Sequence, residues 1–376
     1  MYSAYADERD TLFCLGDVHE MTDDPILNKY PDVDLRVFEK CVFKLNHQVT
    51  MYHWDLPNIL QDLGGWSNPN IVGYFENYAN FLFKTFGSQV KLWTTINEPR
   101  FVAIAYGDET FAPNIGEVFN GIADYMAIRN ALLSHAAAYK LYRKKYFAEQ
   151  QGEISLCFDT AAYFPVNPDS PEDNECVSKA FDFSLGVFTQ PLKNGTFPQS
   201  LLDQVARTDK HENISLKRIV EFTESEKQDL IRSYDFIAFN YYDSYNVRPM
   251  TEDEFKAEKY LLNKDLGVKL SSNADNMDDD LLTWLNETQM WTKVKKKIKY
   301  HRGILTEIHK ALNKGVVIKG YCVWSFMDSL EWTSGYFKKL FGIYSVDFND
   351  PERPRTKKPS FEFFRKVFTT RTFPPV

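Results

Sequence analysis

Five apolar, β-rich runs alternate with segments of helical periodicity, and this alternation limits the fold of the chain more than any other feature. The runs cover residues 49–54, 91–96, 154–159, 235–242 and 316–324. Strands that alternate with helices in this way are typical of βα units around a parallel sheet. The pattern therefore predicts an α/β protein.

Helices are predicted between these runs. In residues 71–86 the apolar side chains recur at helical spacing, so that they share one face. Residues 124–146 form a second helical pattern, whose basic last turn suits the helix dipole. Thr223 and Glu226 have the spacing of a capping box, which predicts the start of a third helix. Residues 251–292 are charged and mostly aperiodic, and we expect a solvated loop there.

The 376 residues contain no internal repeat and no Gly/Ser-rich linker, which predicts one domain over residues 1–376. The formal charge of -8 disfavours a nucleic-acid partner. The basic run at 293–299 is interpreted as the solvated face of a helix. No apolar stretch approaches the ~20 residues of a membrane span, and the polar start does not resemble a signal peptide.

Cysteines and asparagines give hints about the compartment. No C-x-x-C pair is present, and Cys157 and Cys322 lie in apolar runs, where we expect buried free thiols. Three N-x-[ST] sequons, at Asn194, Asn213 and Asn286, favour the secretory pathway. The seven histidines show no H-E-x-x-H spacing, and no nucleophile elbow or Gly-rich phosphate loop is present, so the sequence predicts neither a metal site nor a cofactor.

Polar residues follow the apolar runs, where a parallel sheet would gather them at one edge. Glu98 follows the second run, with Asn97 before it and Pro99 after it. This pattern is poorly explained by packing and predicts a functional carboxylate. His53 and Asn240 lie in the last residues of the first and fourth runs, and each is equally well explained as a hydrogen-bonded polar group of the core.

Several motifs jointly resemble glycoside hydrolase family 1, notably its animal β-glucosidase, lactase-like and myrosinase-like members. They are Tyr-His-Trp-Asp-Leu-Pro at 52–57, Leu-Gly-Gly-Trp at 63–66, Thr-Ile-Asn-Glu-Pro at 95–99, Asn-Tyr-Tyr at 240–242, Trp-Ser with a following Asp, Glu-Trp and Gly-Tyr between 324 and 336, and Phe-Gly with Val-Asp-Phe between 341 and 348. The resemblance covers residues 49–355, apart from 251–292, and implies a TIM (β/α)₈ barrel that hydrolyses β-glycosides with retention.

The resemblance also assigns roles to single residues. Glu98 matches the general acid/base, and Asn97 matches the residue that binds the sugar 2-hydroxyl. Tyr242 matches the tyrosine that orients the catalytic nucleophile, and Asn240 belongs to the same substrate-binding motif. The remaining matches lie around the glycone, the sugar whose bond is cleaved: they are His53, Trp324, Glu331, Trp332 and Phe341. The substrate implied is a small glycoside.

The same resemblance implies that parts of the barrel are missing. Only five strands are legible where eight are required, and the family's first two strands are not recognisable. Retaining hydrolysis needs a second carboxylate about 5–5.5 Å from the acid, and the family carries it in a strand that ends Thr-Glu-Asn-Gly. That tetrapeptide is absent. Glu287 is a weak candidate for the nucleophile, and Glu307 is assigned to a helix.

Three hypotheses follow from this pattern. The first is a β-glucosidase-type hydrolase whose catalytic power is reduced by the missing nucleophile. The second is a carbohydrate-binding protein without catalysis, and the third is a truncated or spliced product that does not fold stably. The sugar, the aglycone and the oligomeric state cannot be deduced from the sequence.

Overall fold

The computed structural model describes residues 13–15, 47–108, 111–272, 290–332, 334–370 and 372. These residues divide into two compact units. The larger unit contains the described residues from 49 to 272, and the smaller unit contains those from 290 onwards together with 13–15, 47 and 48. The single domain expected over residues 1–376 stays a prediction.

Eight strands are present in the described ranges: β1 (Phe13–Leu15), β2 (His47–Tyr52), β3 (Leu92–Asn97), β4 (Glu153–Pro165), β5 (Ala238–Pro249), β6 (Val268–Ser272), β7 (Tyr344–Val346) and β8 (Arg355–Lys357). In the larger unit, β2 from Val49 onwards and strands β3 to β6 are neighbours in that order. β4 runs parallel to both β3 and β5, and β6 is antiparallel to β5. Within the described residues this sheet does not close into a barrel.

Thirteen α-helices accompany the described strands. They are α1 (Asn58–Asp62), α2 (Ile71–Phe86), α3 (Pro99–Ile104), α4 (Ala123–Lys145), α5 (Phe147–Gln150), α6 (Pro171–Phe181), α7 (Val187–Asn194), α8 (Gln199–Glu212), α9 (Glu224–Leu230), α10 (Glu252–Ala257), α11 (Leu261–Leu266), α12 (Met290–Asn313) and α13 (Ser360–Thr370). None of the described helices is both long and apolar enough to cross a membrane.

The periodic segments fold as predicted. Helix α2 has the predicted bounds and buries Phe75, Leu82 and Phe86, whereas Tyr74 stays 43% exposed. The capping box at the start of α9 is present, since Thr223 and Glu226 exchange side-chain to backbone hydrogen bonds. An amphipathic helix buries its apolar face, and capping side chains bond the free backbone groups at its ends. The buried face of α2 and the capping box of α9 could therefore both be deduced from residue spacing.

Strand β3 is buried along its whole length, and β4 is buried over its first half. Both strands therefore lie at the centre of the larger unit, and this fixes the backbone that carries Asn97. Strands β4 and β5 extend beyond the predicted runs because they remain paired as far as Pro165 and Val247. The end of β5 pairs with β6, inside a region predicted as loop, where α10 and α11 also form.

The predicted strand at 316–324 is wrong. Val316 and Val317 are 52% and 85% exposed, and no strand is assigned to these residues. A β-rich composition favours an extended chain, but a strand also needs a partner for its backbone hydrogen bonds, and none pairs with 316–324 in the described ranges. Cys322, predicted to be buried, is exposed for the same reason, whereas Cys157 is a buried free thiol as predicted.

The basic run at 293–299 belongs to α12, as predicted, but Lys297 is not on a solvated face. Its ammonium group donates a hydrogen bond to the carbonyl oxygen of Phe341. Burial, together with the positive charge of Lys358, lowers the pKa of Lys297 to about 7. The interpretation as a solvated face overlooked this contact within the smaller unit.

Candidate active site

Glu98 stands at the end of β3 and directly precedes α3. Its side chain is buried, with 6% of its surface exposed. Its backbone lies in the left-handed region, at a φ of 48°, which few residues other than glycine adopt. The backbone N–H of Glu98 donates to the carbonyl oxygen of Cys157 at 2.7 Å, which ties this turn to the neighbouring strand. Backbone strain at a buried carboxylate is typical of a functional position.

A chain of hydrogen bonds connects four of the predicted site residues. The amide nitrogen of Asn240 donates to Glu98 Oε1 at 2.5 Å and to Asn97 Oδ1 at 3.1 Å. Asn97 Nδ2 in turn lies 3.2 Å from His53 Nε2. Because the oxygen of Asn97 faces Asn240, its NH₂ group faces His53, whose Nε2 then accepts the hydrogen bond. The structure therefore brings these four residues together: His53 and Glu98 directly follow β2 and β3, Asn97 is the last residue of β3, and Asn240 is the third residue of β5.

Tyr242 follows Asn240 by two residues on β5, so both side chains leave the same face of the strand. Its side chain is 46% exposed. Among the other predicted residues of the larger unit, Asn97 and Glu98 are buried and His53 and Asn240 are half-buried, so Tyr242 is the most exposed of the five. Its predicted role beside a nucleophile stays a prediction.

The smaller unit carries Trp324, Glu331, Trp332 and Phe341. Trp324 Nε1 donates to Glu331 Oε2 at 3.4 Å. Burial raises the pKa of Glu331, and the hydrogen bond from Trp324 only partly opposes this effect. A half-buried carboxylate beside an indole ring can bind sugar hydroxyls with strong, charge-assisted hydrogen bonds.

The segments that carry Trp324 and Phe341 are held together by Asp328, a buried residue of the smaller unit. Asp328 accepts hydrogen bonds from the backbone of Gly342 at 2.9 Å and from Lys358 Nζ at 2.6 Å. The carbonyl oxygen of Phe341 also accepts from the backbone N–H of Ser325. These contacts fix Phe341 beside the Trp324 segment, and Lys358 is a contributor that the sequence did not reveal.

Of the two acidic residues weighed as alternative nucleophiles, Glu287 lies outside the described residues. Glu307 lies on α12, as expected, where it is exposed and paired with Lys310 at 2.7 Å. An exposed glutamate that pairs with a neighbour on its own helix has no feature of a catalytic nucleophile.

Across the described ranges, no group of three His, Cys, Asp or Glu side chains could hold a metal ion.

Three residues near Glu98 were not predicted as site residues from the sequence. Arg100, on α3, forms an ion pair with Asp159 on β4. Asp159 is buried and stands at the end of a predicted run, as Glu98 nearly does. The same positional signal could therefore have indicated it. Cys157, which contacts both Glu98 and Asn240, carried no signal beyond its apolar surroundings.

Comparison with known proteins supports one family. The model for "Glycosyl hydrolase family 1" matches residues 36–294 and 284–373. The chain is 34% identical to human lactase/phlorizin hydrolase over 87% of its own length but only 18% of that protein. It is 33% identical to myrosinase 1 of Brevicoryne brassicae, over 86% of the chain and 74% of the relative. A rice Os3BGlu6 β-glucosidase structure superposes with a TM-score of 0.74 at 28% identity, over 85% of this chain and 75% of that one.

Proposed function

The chain belongs to glycosyl hydrolase family 1, and from this premise we propose that it binds small β-glycosides and hydrolyses their O-glycosyl bonds with Glu98 as the general acid/base. The relatives it matches include a lactase/phlorizin hydrolase, a myrosinase and a β-glucosidase. The observation that supports this proposal most is the buried carboxyl group of Glu98, hydrogen-bonded to Asn240 beside Asn97 and His53.

In this proposal Glu98 donates its proton to the glycosidic oxygen as the bond to the anomeric carbon breaks. A carboxyl group sheltered from water can hold a proton until the leaving oxygen becomes basic. Asn97 and His53 provide amide and imidazole groups that suit sugar hydroxyls. The TIM barrel of this family places such groups at the carboxyl ends of strands, and His53, Asn97 and Glu98 lie at the carboxyl ends of β2 and β3.

For the smaller unit we propose the glycone-binding roles that family membership assigns. Glu331 accepts hydrogen bonds from sugar hydroxyls, and Trp324 and Trp332 offer apolar ring surfaces to the sugar. Phe341 is proposed as an apolar wall of the glycone pocket. The hydrogen bond from Trp324 to Glu331 supports this role, because it orients the carboxylate within its own unit.

We propose that turnover is slow, because the nucleophile strand of the family has no counterpart in the sequence. Without a second carboxylate, no covalent glycosyl-enzyme forms, and water must attack the anomeric carbon directly. Loss of a nucleophile costs several powers of ten in rate in well-studied enzymes. The second candidate function is therefore carbohydrate binding without catalysis, which needs the polar cluster but not the nucleophile.

One experiment separates these functions. The chain, its Glu98→Gln variant and a control, Glu149→Gln, at an exposed position on α5, are assayed with an aryl β-glucoside. The hydrolytic function is supported if the rate of glucoside hydrolysis is lost in Glu98→Gln and kept in Glu149→Gln. Equal rates in all three proteins would overturn it. Glucose binding, measured by calorimetry with no turnover, would support the carbohydrate-binding function. Failure to unfold cooperatively in urea would favour a truncated product that does not fold.

A further inference from the structure

Cys157 connects two residues of the candidate site from its position on β4. Its Cα is paired with Asn97 of β3 on one side and with Ala238 of β5 on the other. Its carbonyl oxygen accepts the backbone N–H of Glu98 at 2.7 Å. Its thiol lies 3.3 Å from Asn240 Oδ1 and donates a hydrogen bond to it. One buried residue therefore contacts both the backbone of Glu98 and the amide that binds its carboxylate.

The orientation of the Asn240 amide follows from the groups around it. An ionised carboxylate can only accept hydrogen bonds, so the Asn240 group that faces Glu98 Oε1 must be the NH₂ group. The same NH₂ group faces Asn97 Oδ1, which is also an acceptor. The oxygen of Asn240 is left facing Cys157, whose thiol is a donor and therefore suits it. Each of these contacts favours the same orientation of the amide.

The orientation matters because Glu98 must exist in two protonation states. When Glu98 is protonated, its O–H could donate to the oxygen of Asn240 if the amide turned over. That turn would place the NH₂ group against the thiol sulfur, which is a poor acceptor. The thiol therefore opposes the turn and keeps the NH₂ group directed at Glu98. A donor aimed at a carboxylate favours its charged form.

We infer that Cys157 is a positioning residue, which fixes the amide orientation of Asn240 and, through it, the carboxyl group of Glu98. The inference rests on the proposed role of Glu98 as the general acid/base. Cys157 does not contact the reacting atoms in this scheme. It determines how readily Glu98 gives up the proton that it donates to the leaving oxygen.

The test measures Glu98 directly and needs no turnover. The pKa of Glu98 is followed by ¹³C NMR of labelled glutamate carboxyl groups, with Glu98→Gln identifying the signal. Cys157→Ala removes the donor, so we expect the pKa of Glu98 to rise by about 0.5, the scale of one weak S–H···O contact. Cys157→Ser restores a donor and should return the pKa to its original value.

Two further variants keep the test decisive. Cys157→Val fills the space of the thiol without a donor, so it should shift the pKa as Cys157→Ala does even if the alanine variant folds poorly. Cys176→Ala removes another buried thiol, in a cluster with Ala180, Val247 and Val268, and should leave Glu98 unchanged. An unshifted pKa in both donor-free variants, or equal shifts with serine and alanine, would overturn the inference. Absence of hydrolysis would count against the proposed function alone.

Discussion

Arg218 and Asp265 form a bidentate ion pair inside the larger unit, with both nitrogen–oxygen distances at 2.7 Å. Neither side chain is exposed to solvent. Arg218 also bonds Asp209, and Asp265 accepts the hydroxyl of Tyr125 at 2.8 Å. The pair therefore connects α11 to α4 and α8 through groups that water cannot reach.

Removal of one partner of this pair should be strongly destabilising. Arg218→Met leaves the carboxylate of Asp265 buried without its cation, and we expect a loss of about 3–5 kcal/mol in the free energy of unfolding. Lys140→Met, which breaks an exposed ion pair with Asp229, should cost under about 1 kcal/mol. Urea unfolding of both variants checks this prediction, and equal losses would contradict it.

The sequence did not reveal this pair because its partners are far apart in the chain and unrelated by any period. Asp265 lies in the charged region predicted as loop, although α11 and β6 form there. Helix α2 was predictable because the spacing of apolar residues in an amphipathic helix shows which of its faces is buried. Ion pairs between elements depend on packing, which no local spacing encodes.

The residues of the candidate site were likewise only partly predictable from the sequence. Glu98, Asn97, His53 and Asn240 could be proposed because polar residues after apolar strands meet at one edge of a sheet. The thiol of Cys157 could not, since a cysteine in an apolar run looks the same whether or not its neighbour is an amide. The prediction of a strand at 316–324 was wrong for a related reason. Composition indicates that a segment can be extended, but it does not indicate the partner strand that the segment requires.

Asp124 should make the stability of the protein depend on pH. This carboxyl group is fully buried in the first turn of α4, where it accepts the backbone N–H of Gly121. Burial raises its pKa to about 7. The unfolded chain releases this proton near pH 4, so the contribution to stability is complete below about pH 4 and is lost as the pH rises to about 7.

Asp124→Asn keeps the site uncharged at every pH. It should therefore remove this dependence of the free energy of unfolding on pH. At a pH above about 8 the variant should be more stable than the original chain by about 2–4 kcal/mol, the free-energy equivalent of a shift of this size. Urea unfolding at several pH values measures the difference. Asp203→Asn, at an exposed position on α8, controls for the substitution itself. A variant that keeps the original slope would show that Asp124 is not its source.

Two of the three sequons lie in the described residues, and both are placed where a glycan could be attached, whereas Asn286 lies outside the described residues. Asn194 and Asn213 are exposed at the carboxyl ends of α7 and α8. If the chain enters the secretory pathway, we expect each to carry a glycan. Expression in eukaryotic cells, followed by enzymatic deglycosylation and mass spectrometry, checks this. Asn194→Gln and Asn213→Gln should each remove one glycan, whereas Asn174→Gln, exposed but outside a sequon, should remove none.

A small anion should accelerate hydrolysis if Glu98 works without a nucleophile. Azide can attack the anomeric carbon on the face opposite the leaving group, while Glu98 protonates the departing oxygen, so the products are an α-glycosyl azide and the free alcohol. We expect a rate increase on the order of tenfold or more with an alkyl β-glucoside, equivalent to about 1.4 kcal/mol of barrier. Glu98→Gln should lose this gain, because an alkoxide leaves slowly without a proton. NMR identification of the anomer is decisive. A β-configured azide would require two successive inversions and hence a nucleophile within the chain, which would contradict the proposal that none is present.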